Sequence, residues 1–154
     1  MQVGDKVPDI SLFNSEKKEV PLKQQTGNVV LLFFPLAFTS TCTAELCSVR
    51  DEITRYNSFN ATIYGISIDS LYTLAKYKEE QNLNFSLLSD FNKEASEAFG
   101  VLDESFAFGM KGVSKRSAFV IDQEGVIRYS EICPTPGDLP DFNKIKAVLE
   151  QLNN

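Results

Sequence analysis

Within "PLAFTSTCTAELC" (35–47), Cys42 follows Pro35 by seven residues and Thr39 by three, and Cys47 comes five residues later. A thiol attacks as its thiolate. The usual means of making one is a neighbouring imidazole, but this chain contains no histidine. Cys–His and Ser–His catalysis, His-ligated zinc and the commonest general base are therefore excluded, and any chemistry must run on a sulfur that ionises by itself. The stretch joins the apolar run "NVVLLFF" (28–34) to a segment of helical periodicity. At such a strand-to-helix turn, free N–H groups and the helix dipole favour an anion, and thiolates at helix N-termini reach pKa values several units below the ordinary ~8.5. Cys42 is thus the candidate nucleophile.

The competing reading of Cys42 is a small buried hydrophobe. Its steps of four, three and four to Leu46, Val49 and Ile53 put it at the top of a core-facing stripe, with Pro35 placed to shape a small mouth to solvent. Thr39 either caps the helix or folds its hydroxyl back over the sulfur as donor and acceptor. Cys47 shares a polar face with Thr43, Arg50 and Thr54, as a half-exposed structural residue or as a reachable thiol. Five residues of helix separate positions 42 and 47 by about 7.5 Å along the axis and ~140° around it. A disulfide needs Cα atoms within about 7 Å and side chains that point together, so this pair cannot bond while the helix is intact. Cys133 stands in the Pro/Gly-rich "EICPTPGDLPD" as a passive loop residue or a further thiol. The three thiolates are too few and too poorly spaced for zinc. No metal and no cofactor are expected.

The elements that must position these residues are legible around them. "PDISLFNSEKKEVPL" reads as two short strands about a polar turn at 15–18, and "NVVLLFF" as a central strand covered on both faces. Helical spacing runs from Thr41 to about Asn57. "TIYGISI" (62–68) is a second buried strand, and "DSLYTLAKYKEEQ" (69–81) a helix opened by an Asp/Ser cap. "FSLLSD" is a short strand, and "KEASEAFG" a short helix closed by Gly100. "SAFVID" (117–122) and "VIRYSE" (126–131) flank a "QEG" hairpin loop, and 141–152 carries Phe142, Ile145, Val148, Leu149 and Leu152 on one helical side. The fold class is α/β: a mixed central sheet flanked by helices, with an N-terminal β-hairpin, in one domain over 1–154.

The balance of 15 Lys and Arg against 21 Asp and Glu leaves a net charge of −6, which argues against a nucleic-acid partner. No stretch approaches the ~18 apolar residues of a membrane span and no leader pattern opens the chain, so a cytoplasmic location is expected. Three cysteines, an odd number, suit reduced thiols with at most one reactive pair.

The motif P-x-x-x-T-x-x-C in "PLAFTSTC" resembles the active site of the peroxiredoxins, thiol peroxidases of thioredoxin-like fold. "VGDKVPDISL", "FFPLAFTSTCTAEL", "LLSD" and "RSAFVIDQEGVIRY" resemble that family's landmarks in order, over most of the chain. The resemblance implies that Cys42 is the peroxidatic nucleophile, with Pro35 and Thr39 shaping its pocket. It also implies that Arg116 completes the pocket and that Glu45 pairs with an arginine. It implies hydrogen peroxide or an organic hydroperoxide as substrate, a sulfenic acid at Cys42, and thioredoxin or a similar thiol as reductant, in a monomer or homodimer. The five-residue spacing resembles the bacterioferritin-comigratory, or Q-type, members, in which the second cysteine resolves the sulfenic acid as an intramolecular disulfide. This implies that role for Cys47, with Cys133 as the alternative. "FFPLAFTSTC" and "SLLSDF" also resemble the alkyl hydroperoxide reductase E-type, which uses one cysteine and an external thiol, and Thr41 stands where Q-type members more usually have Gly. From another class, a non-enzymatic thioredoxin-fold binding or chaperone protein remains an alternative.

Overall fold

The computed structural model describes residues 1–23 and 26–153. Its centre is β3 (Asn28–Phe33), six consecutive apolar-rich positions that are all buried. Alternation along a strand sends side chains to opposite faces. Val30, Leu32 and Phe34 therefore enter one core cluster, and Val29, Leu31 and Phe33 the other. A strand buried on both faces must have sheet on both edges and cover above and below.

The sheet order among the described residues is β2-β1-β5-β4-β3-β8-β9. β4 (Ala61–Ser67) pairs parallel to β3, and β5 (Ser86–Ser89) parallel to β4. The hairpin of β1 (Ser11–Asn14) and β2 (Glu19–Pro21) joins antiparallel at β5, so the N-terminal extension is part of the main sheet. On the other edge, β8 (Ser117–Ile121) runs antiparallel to β3, and β9 (Ile127–Ile132) antiparallel to β8. Gly125, at φ 79°, supplies the left-handed residue of the 123–125 turn.

α1 (Ser40–Asp51) and α5 (Phe142–Leu152) cover the first face through Leu46, Val49, Ile145 and Leu149, and α3 (Leu71–Gln81) adds Leu74 and Tyr77. The second face holds α4 (Glu94–Ala98) and a close aromatic group of Phe33, Phe99 and Phe119, with ring centroids 5.0–5.9 Å apart.

Two features differ from the sequence expectation. The helix expected over 41–57 breaks at Glu52, which separates α1 from α2 (Ile53–Ser58). Glu52 leaves helical geometry at φ −114°, ψ 15°, and its carboxylate pairs with Lys146 of α5 at 2.8 Å. The apolar periodicity continues across the break through Ile53 and Tyr56, so it could not reveal it. The segment 104–113, for which the sequence shows no strand or helix pattern, closes a two-stranded ribbon of β6 (Leu102–Asp103) and β7 (Val113–Ser114) around a 3-10 turn at Ala107–Gly109. Two-residue strands are too short to show a period.

Candidate active site

The site forms where β3 ends. Phe34 still donates its N–H to Ile66 at 2.9 Å, but Pro35 has no N–H and the ladder stops there. Phe38 then takes a left-handed conformation (φ 66°), which for an aromatic residue is held only by its surroundings. Here its ring packs on Tyr77 with centroids 5.0 Å apart. The loop is also tied to the end of β4: the Ala37 N–H donates to Asp69 Oδ2 at 2.8 Å, and Ser67 Oγ donates to the same oxygen at 2.7 Å. The cap of α3 is Ser70 alone, whose Oγ accepts the Thr73 N–H. Asp69, expected as part of that cap, serves the loop before Cys42 instead.

Thr39 sits at the N-cap of α1 in extended conformation, and its side chain makes no cap bond. Its hydroxyl donates to the Leu36 carbonyl at 2.8 Å. That engages its proton and leaves its lone pairs, so of the donor and acceptor roles expected of it Thr39 offers the pocket the acceptor. Cys42 follows as the third residue of α1, in the turn whose N–H groups lack helical acceptors, and its side chain is 1% exposed.

Arg116 reaches this sulfur from 74 residues away because β8 is antiparallel to β3. The register sets Phe33 opposite Ser117, so the residue before β8 lies beside the chain leaving β3. Arg116 is 3% exposed. Its Nη2 donates to Cys42 Sγ at 3.2 Å, its Nη1 to Glu45 Oε1 at 2.6 Å, and Nε and Nη2 both to the Pro136 carbonyl at 3.2 and 3.1 Å. One planar fork thus locks three partners at once. Burial works against the Arg116 charge, but Glu45 and Cys42 beside it more than restore it and leave its pKa raised.

Glu45 is fully buried. Burial pushes its carboxyl up to about 7 against the downward pull of Arg116. Its second oxygen, Oε2, has no hydrogen-bond partner among the described residues.

Cys133 also arrives by register, since Ile132 lies opposite Ser117 and the Cys133 N–H donates to the Arg116 carbonyl at 2.9 Å. It is 6% exposed, and burial, followed by Glu131 and Glu45, pushes its thiol up to about 11. Pro35, Arg116, Cys133, Thr135 and Pro136 line a cavity of about 390 Å³. A larger one, about 560 Å³ between Phe13, Tyr72 and Phe91, includes none of these residues. Cys47 is half-buried in the intact α1, with its Sγ 3.7 Å from Gln81 Oε1 of α3. All three cysteines are free thiols.

The structure thus brings Pro35, Thr39, Cys42, Glu45, Arg116 and Cys133 to one place and sets Cys47 on another side of the same helix. Sequence reasoning missed three partners. Pro136 acts through its carbonyl, which no side-chain pattern reports. Tyr77, whose hydroxyl lies 2.8 Å from Thr43 Oγ1, reads as an ordinary core position of α3. Asp69 had a signal, a carboxylate at the end of a buried strand, but a helix cap explained it equally well.

The model of the AhpC/TSA family matches residues 3–130. The alkyl hydroperoxide reductase E of Mycobacterium tuberculosis (strain CDC 1551 / Oshkosh) is 34% identical over 145 residues, covering 92% of this chain and 91% of that protein. The peroxiredoxin Bcp of Bacillus subtilis (strain 168) is 38% identical over 128 residues, 81% of each. Among solved structures, peroxidoxin BcpB from Mycobacterium tuberculosis superposes with a TM-score of 0.87 at 30% identity, over 99% of this chain and 98% of that one. These likenesses bear out the thioredoxin-like fold expected from the motifs.

Proposed function

The chain belongs to the AhpC/TSA family and is a thiol-dependent peroxidase, and we propose that Cys42 is its peroxidatic nucleophile, acting in one domain over 1–154. The observation that carries this reading is the Arg116 fork, which places a buried cation 3.2 Å from Cys42 Sγ where no histidine exists to activate it. The Cys42 thiolate attacks one oxygen of ROOH, the O–O bond breaks, and the sulfur becomes a sulfenic acid. Arg116 and the Cys42 N–H donate to the oxygens on which charge develops, and such donors act in proportion to that charge. Thr39, its own proton engaged by Leu36, accepts the hydroperoxide O–H and so orients the O–O bond. The cavity beside Pro35, Arg116 and Pro136, whose lining does not include Cys42 or Thr39, has the volume for hydrogen peroxide or an organic hydroperoxide.

Cys47 resolves the sulfenic acid in this proposal, after the first turns of α1 unwind. The spacing of five supports it, as does the likeness to a peroxiredoxin Bcp. Thioredoxin or a similar dithiol then recycles the disulfide. A second reading, in which an external thiol replaces Cys47, draws on the intact α1 that points Cys47 toward Gln81, and on the likeness to an alkyl hydroperoxide reductase E. Cys133 is the lesser alternative resolver. The location proposed is the cytoplasm, and three free thiols, which suit a reducing compartment, support it. Among the described residues no helix is long and apolar enough to cross a membrane.

Cys42→Ser abolishes peroxide consumption, and Cys47→Ser stops after one turnover at a sulfenic acid unless a monothiol is added. Mass spectrometry after one equivalent of peroxide reads both. Survival of turnover in Cys42→Ser overturns the nucleophile, and equal thioredoxin-driven turnover in wild type and Cys47→Ser transfers resolution to another thiol.

A further inference from the structure

Two acids and one cation occupy the same dry corner. Glu45 lies three residues past Cys42 on α1, so the two side chains share a helix face. Both are buried, at 0% and 1% exposure, and both spend their contact on the single guanidinium of Arg116. One cation balances one anion. If carboxylate and thiolate were both ionised, the corner would hold an uncompensated buried charge, which folds avoid by protonating one of the groups. Glu45 Oε2, the atom that would carry such a proton, is claimed by no other group among the described residues.

We propose that Cys42 and Glu45 hold one proton between them: it resides on Glu45 Oε2 while Cys42 is a thiolate, and leaves Glu45 when the thiolate is consumed. The inference rests on the reading of Cys42 as the peroxidatic thiolate and assigns the proton that this reading leaves unplaced. The oxidation then balances as Glu45–COOH + Cys42–S⁻ + ROOH → Glu45–COO⁻ + Cys42–SOH + ROH. The S–O bond forms and the O–O bond breaks. Sulfur is oxidised by two electrons, the peroxide is reduced by two, and the carboxyl proton makes good the one needed by the leaving alkoxide. Glu45 is afterwards an ordinary ion-pair partner of Arg116, since the neutral sulfenic acid no longer competes for the cation.

The other titratable groups facing this corner do not enter the exchange. Tyr77 on α3 is pushed up to about 12 by burial, and Cys133 after β9 up to about 11, so both keep their protons near neutral pH before and after Cys42 reacts. Glu131 and Asp138 act on Cys133, and Cys47 faces Tyr77 from farther along α1. The carboxyl of Glu45 is pushed toward neutrality by burial, the direction the exchange requires.

The test counts protons when the thiolate is removed without peroxide. Full-length wild type and Glu45→Gln are treated near pH 6 in weak buffer with substoichiometric iodoacetamide. Release is read with an indicator dye and normalised to Cys42 carboxamidomethylation by peptide mapping. A thiolate loses no proton on alkylation, so the proposal expects about one proton released per modified Cys42 in wild type, from Glu45, and none in Glu45→Gln. No release from either protein overturns the proposal and leaves the thiolate reading standing. About one proton from both means that Cys42 itself was protonated, and the activated-thiolate reading fails with the proposal. Release from the variant alone also overturns it. If Glu45→Gln does not fold, infrared difference spectra of wild type decide. The proposal expects loss of a protonated-carboxyl C=O band on alkylation and gain of a carboxylate band, and their absence overturns it.

Discussion

Thr43 Oγ1 and the Tyr77 hydroxyl lie 2.8 Å apart, one in the turn of α1 that carries Cys42 and the other fully buried on α3. With the Phe38 ring packed on Tyr77, this bond ties the reactive turn and the loop before it to one residue. Tyr77→Phe keeps the ring contacts and removes only the hydroxyl. A net hydrogen bond contributes about 0.5–1.5 kcal/mol, so opening of the turn becomes about two- to tenfold more populated. Rapid quench and mass spectrometry of the oxidised protein then show the Cys42–Cys47 disulfide forming faster by that factor. An unchanged rate means that this turn does not limit resolution.

Arg116→Lys lowers the rate constant for peroxide by about a hundredfold or more, the scale seen when one preorganised donor is lost from an active site. Lysine keeps the charge but is a point donor on a flexible stem. It cannot hold Cys42, Glu45 and the Pro136 carbonyl together as the fork does. The chain has no tryptophan to report oxidation by fluorescence, so competition with a haem peroxidase for limiting peroxide measures the rate. A loss of less than threefold would show that charge alone suffices.

What the sequence made legible follows from the range of each signal. β3, β4 and the Ser70 half of the α3 cap are local patterns of burial and hydrogen bonding, and the structure keeps them. Cys42 at a strand-to-helix turn is local as well. Arg116 is not. Without the motif it is a charged residue before a strand, and only the antiparallel register of β8 on β3 puts it beside the sulfur. The burial of Glu45 follows from the same remote partner. Pro136 and the ribbon of β6 and β7 had no periodic or side-chain signature at all, since one is a carbonyl contact and the other has two residues per strand.

Gly65 in β4 is a packing requirement. A Cβ there would lie 2.8 Å from Leu87 Cδ2 and 3.4 Å from Phe34 Cε1, inside the core that abuts the site. Overpacking of this kind costs about 1–3 kcal/mol. Gly65→Ala therefore lowers the urea midpoint with an unchanged m-value. A midpoint equal to that of wild type would mean that Leu87 changes rotamer freely.

Stability against pH gives a second handle on Glu45. Its carboxyl rises from 4.5 to about 7 on folding, so between those values the native state binds more protons than the unfolded chain. By linkage, stability falls as pH rises through that window and levels off above it, the reverse of a salt-bridged carboxylate. Glu16 and Asp122 have lowered pKa values and contribute stability that is lost as pH falls through their own titrations. Those contributions are shared by wild type and Glu45→Gln and cancel in the difference. Urea midpoints of both proteins between about pH 5 and about pH 8 should therefore show wild type losing ground to the variant as pH rises to about 7, then a constant gap. A gap that does not vary with pH would mean that Glu45 stays ionised throughout, its charge held by Arg116 despite the burial.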